Sequence, residues 1–87
     1  MEETKIIEYI KKSFELKKLK RFSDALEFLT KALELTTKEN KKDKVEILCQ
    51  MGEIYETLKN FEMAKESFKK AKDEEKENPK ALLGLYR

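Results

Sequence analysis

Apolar residues recur along this chain at spacings of three and four, the period of a helix with one buried face. Ile6, Ile7, Tyr9, Ile10, Phe14, Leu16 and Leu19 predict a first helix over about residues 3–19. Phe22, Ala25, Leu26, Phe28, Leu29, Ala32, Leu33 and Leu35 predict a second over about 22–36, whose wide apolar arc calls for cover on more than one side. The polar run from Thr37 to Asp43 breaks the pattern and reads as an inter-helix loop. Asp43 followed three residues later by Glu46 has the form of a capping box. It predicts a third helix over about 44–58, through Val45, Leu48, Cys49, Met51, Gly52 and Tyr55. Phe61, Met63, Ala64, Phe68 and Ala71 predict a fourth over about 61–75. Asn78-Pro79 then supplies a cap residue and a first-turn proline for a short apolar stretch ending at Arg87. The links within each helix pair are only a few residues long, which forces antiparallel neighbours.

The two halves repeat one another. The segment from Leu19 to Ala32 aligns without gaps on the segment from Leu58 to Ala71, an offset of 39 residues. Ala25 and Ala64 fall at matching places in the second helix of each pair, and Ser13 and Gly52 at matching places in the first. Tyr9 and Leu48, Leu16 and Tyr55, and Leu29 and Phe68 are the matching large residues. A small side chain facing a large one lets two helix backbones close up. Ala32 and Ala71 lie further along, where the next pair would stack. The expected fold is therefore all-α and a single domain over 1–87: repeats at about 3–37 and 44–77, and a capping helix at about 79–87.

With Leu48, Met51-Gly52, Tyr55, Ala64, Phe68 and Ala71, the second half resembles the tetratricopeptide repeat, a helix–turn–helix unit of about 34 residues. The first half follows as Tyr9, Lys12-Ser13, Leu16, Ala25, Leu29 and Ala32. Leu82 lies 34 residues after Leu48, so the C-terminal stretch looks like the opening of a third unit. The departures are Lys12 in place of a leucine, about five extra residues after the first unit, and Pro79 displaced from the family position. The resemblance implies a concave groove lined by the first helix of each pair. Its residues would be Ile7, Ile10, Phe14, Lys17 and Lys18, then Glu46, Cys49, Gln50, Glu53 and Glu56, then Lys80, Leu83 and Arg87. Some family members clamp a chaperone tail's carboxylate with Lys and Asn. Here Ile10, Phe14 and Gln50 take those places, so no such clamp is expected.

Composition narrows the chemistry. Twenty basic and eighteen acidic residues leave a net charge of +2, too small to argue for nucleic acid or an anionic membrane. The basic clusters at Lys17–Arg21 and Lys38–Lys44 sit at helix ends and read as solvated faces. There is no apolar run long enough to span a bilayer, and Glu2 and Glu3 do not open a secretory signal, so a cytoplasmic protein is expected. Cys49 stands alone in a chain without histidine. It has no base to activate it, and no thiolate or imidazole metal site is expected. No catalytic residue, cofactor or glycine-rich phosphate loop is expected.

The expected function is protein–protein interaction, as a scaffold or adaptor that holds a partner peptide or helix against Ile7, Ile10 and Phe14. That strip is also open to cover by Met1, as plain core, or by a second copy of the chain. The alternatives are a self-assembly module in which repeat ends stack into a homodimer, and a regulatory domain excised from a larger protein.

Overall fold

The computed structural model describes residues 2–76 and 78–85. It holds helices α1 (Glu2–Lys18), α2 (Phe22–Leu35), α3 (Lys41–Thr57), α4 (Phe61–Glu74) and α5 (Pro79–Leu85), with no strand among the described residues. α1 packs against α2, α3 against α4, α2 against α3, and α5 against α4 and α3. The expected all-α repeat architecture is the observed one.

Both helix pairs turn on the same device. Lys20 donates its N–H to the Lys17 carbonyl and Arg21 to that of Leu16, at 2.9 and 2.8 Å. Lys59 and Asn60 make the same bonds to Glu56 and Tyr55, at 2.9 and 2.8 Å. These bonds satisfy the last free carbonyls of α1 and α3. They require a left-handed residue, and Lys20 and Lys59 both take φ 61°. The second turn then gains an N-cap, since the Asn60 side chain accepts the Met63 N–H, whereas Arg21 offers α2 no such bond.

The third helix begins earlier than the Asp43–Glu46 pairing predicts. Thr37 and Asn40 form the reciprocal capping box instead, over a single 3-10 turn (Lys38–Asn40). That turn leads directly into α3 at Lys41 and leaves Asp43 inside the first helical turn. The expected cap at Asn78 is present, where the side chain accepts the Ala81 N–H at 3.0 Å.

Two clusters make the core. The first joins Ile6 and Leu16 of α1, Ala25, Leu29 and Ala32 of α2, and Ile47, Met51 and Ile54 of α3. The second joins Val45, Leu48 and Cys49 with Ala64, Phe68 and Ala71 of α4 and Ala81 of α5. Leu33 and Tyr55 pack against both. Ser13, Ala25, Gly52 and Ala64, the small residues, are all buried. Phe68 lies between two glycines. A Cβ added to Gly52 would stand 2.7 Å from the tip of its ring, and one added to Gly84 would be closer still to Cγ and Cδ2. Real side chains do not approach so closely, so hydrogen at both positions is what lets the ring fill the space between α3, α4 and α5.

Candidate functional site

Helical spacing places Ile7, Ile10 and Phe14 on one strip of α1, and their exposure differs. Ile7 is 47% exposed and Phe14 37%, whereas Ile10 is half-buried against the first cluster. Lys17, one turn after Phe14, holds its ammonium 5.7 Å from the Phe14 ring centroid, within reach of a cation–π attraction.

From Lys17 a polar ladder crosses to α3 and on to α5. The Lys17 ammonium donates to Gln50 Oε1 at 2.7 Å and lies 3.8 Å from Glu53 Oε2. Gln50 Nε2 donates to Glu46 Oε1 at 3.0 Å. Lys80 of α5 reaches the same carboxylate at 3.4 and 3.5 Å. Gln50 is nearly buried, and both ends of its amide are satisfied, so its burial carries no unpaired polar group. Opposite charges alternate along this ladder and leave no isolated cation or anion on it. Leu83, 62% exposed, adds an apolar side chain from α5.

Five of the residues assigned to the groove thus meet in one network: Lys17, Glu46, Gln50, Glu53 and Lys80. Lys18 is exposed and stands outside it. Glu56 lines a cleft with Phe61, Ala64, Lys65, Gly84 and Leu85, toward α4 and α5. Arg87 lies outside the described residues. Cys49 corrects the expectation. It is fully buried in the cluster it shares with Ala64, Phe68, Ala71 and Ala81, and its Sγ lies 3.7 Å from Oδ1 of Asn78, the residue before α5. Burial, and then the charge of Glu46, push its thiol up to about 11. The repeat register puts Gln50 on the groove wall but carries no sign that it links α1 to α3 through Lys17. Its rarity, as the one glutamine of the chain, was the available signal.

The residues assigned to packing differ little in their burial. Ser13, Ala25, Ala32, Gly52, Ala64, Phe68 and Ala71 are buried, and Tyr55 is half-buried between the clusters. The family model of the tetratricopeptide repeat matches residues 9–39 and 45–78.

The chain belongs to the tetratricopeptide repeat family.

Tetratricopeptide repeats generally mediate protein–protein interaction. No curated protein and no solved structure matches this chain. Among the described residues of this tetratricopeptide repeat chain, no helix is long and apolar enough to cross a membrane.

Proposed function

We propose that the groove of α1, α3 and α5 holds a helix or extended segment of a partner protein. Ile7 and Phe14 act as apolar anchors, and Lys17, Glu46, Glu53 and Lys80 set its register. The observation that carries this reading is the exposure of two large apolar side chains beside a charged ladder that is already internally paired. Burying Ile7 and Phe14 releases apolar surface from water. Because the ladder is paired, specificity comes from exchanging hydrogen bonds along it rather than from an unmatched charge. Gln50 is held by Lys17 and Glu46, an arrangement that disfavours a carboxylate clamp.

The Phe14→Ala variant tests the proposal. The whole chain is used to capture a partner from native lysate, and the captured protein is then titrated against both forms. Affinity is expected to fall about tenfold, with helicity unchanged, because Phe14 is an exposed anchor rather than core. Equal affinity, or loss of helicity in the variant, overturns the reading.

End-to-end stacking of copies is disfavoured by the α1 surface. Ile47, Met51 and Ile54 are the α3 residues in the cluster shared with the first repeat, and their repeat mates in α1 are Glu8, Lys12 and Glu15. All three are exposed, so docking a second array there would strip water from charges. Sedimentation at several concentrations is expected to give a constant mass, and a mass rising with concentration would favour self-assembly instead.

A further inference from the structure

We propose that the segment seated in the groove is an acidic amphipathic helix, which lays apolar side chains seven residues apart on Ile7 and Phe14 and meets Lys11 and Lys18 with carboxylates. The proposal rests on the groove reading above and adds to it the conformation and the charge of the partner.

Spacing selects the conformation. Ile7 and Phe14 stand two turns apart on one stripe of α1, about 10.5 Å along its axis. A helix lying alongside repeats its own apolar side chains at the same rise. An extended chain covers that length in about three residues, and side chains three apart point to opposite faces, so one face of it cannot seat on both. The stripe as a whole has the seven-residue pattern of a coiled-coil seam. Ile7 and Phe14 hold one core position, Ile10 and Lys17 the other, and Lys11 and Lys18 the position that flanks the seam.

The flanking charges select the sign. On its α3 side the strip is bordered by the paired ladder, where Lys17 holds Glu53 and Lys80 holds Glu46. Its other border is Lys11 and Lys18, both exposed and neither in an ion pair among the described residues. The acids within one turn of them are Glu8 and Glu15, and Glu15 pairs with Lys12 at 4.0 Å. Carboxylates flanking the seam of a partner helix gain opposite charges there, whereas a basic helix sets like charges against both lysines.

The test uses the whole chain and two labelled synthetic helices about four heptads long. Both carry Leu at the two core positions, and the flanking positions are Glu in one and Lys in the other. By fluorescence anisotropy at low salt the acidic helix is expected to bind at least about tenfold tighter, and added salt to shrink the difference. Reversing both charges, Lys11→Glu with Lys18→Glu, is expected to invert the preference with circular dichroism unchanged. If that variant does not fold, Lys11→Gln with Lys18→Gln is expected to abolish the preference. A proline at the centre of the acidic helix should weaken binding at least about tenfold. Equal binding of the proline form overturns the helix, and equal affinity for the two probes overturns the acidic partner, in each case with the groove reading intact if Phe14→Ala abolishes binding. Binding untouched by Phe14→Ala overturns the groove reading itself, and binding of neither probe overturns the proposal.

Discussion

The two repeats solve one packing problem with different pairs of residues. In the first, the matched positions hold Ser13 and Leu29, and in the second Gly52 and Phe68, all buried. A larger residue on α4 goes with a smaller one on α3, so the space between the helices is kept while its division changes. The ring that results reaches further than a leucine would. It touches the hollow left by Gly52 and the one left by Gly84, and so ties α5 to the second repeat. Each position thus depends on its partner, and neither residue is interchangeable between repeats by itself.

The sharpest way to break this comparison is to exchange one member of a pair. Gly52→Ser, which copies the first repeat, is expected to destabilise the fold by about 3 kcal/mol, because Phe68 has glycine on both sides and no room to retreat. Adding Phe68→Leu should recover most of that loss. Urea denaturation of the single and double variants measures the coupling, and additive effects would refute the paired packing.

A smaller effect separates the two turns. Asn60 caps α4, and Arg21 leaves α2 uncapped by any side chain. Asn60→Ala is expected to cost about 1 kcal/mol, and Arg21→Asn to stabilise by up to about that amount. The ion pair that Arg21 makes with Asp24, at 2.6 Å on the exposed surface, offsets little of the gain. Thermal unfolding of both variants checks the two signs.

The smallest effect concerns acid. Glu74 bonds Lys44 at 2.9 Å, and its repeat mate is Leu35, so the first repeat has no such pair. The hydrogen bond from Lys44, and then its charge, hold the Glu74 carboxyl below its ordinary value of 4.5. A carboxyl lowered on folding contributes stability above that ordinary value and loses it as the pH falls through the folded one. The carboxyl titration of Glu74, followed by NMR, is expected to shift upward in Lys44→Gln. An unchanged midpoint would remove Lys44 as the cause.

Much of this was legible in the chain itself. Apolar spacing gave the helices, and the 39-residue offset gave the pairing, because packing small against large leaves a pattern in one dimension. What was hidden depends on neighbours distant in sequence. Cys49 has a groove position by repeat register, yet it is buried in a cluster completed by Ala64, Phe68 and Ala71 of α4 and Ala81 of α5, residues 15 to 32 positions further along the chain. The start of α3 was missed because Thr37 and Asn40 cap a 3-10 turn ahead of Asp43. The bridging role of Gln50 needs the reach of Lys17 across from another helix, which no local pattern records.

The twin left-handed lysines have an energetic consequence. Each hairpin closes through bonds between residues three to five apart, around a residue that restricts the unfolded backbone more than glycine would. Against that saving stands the cost of holding a residue with a Cβ at positive φ. The two turns carry the same opposing pair of effects, so what glycine would do at one of them it should do at the other.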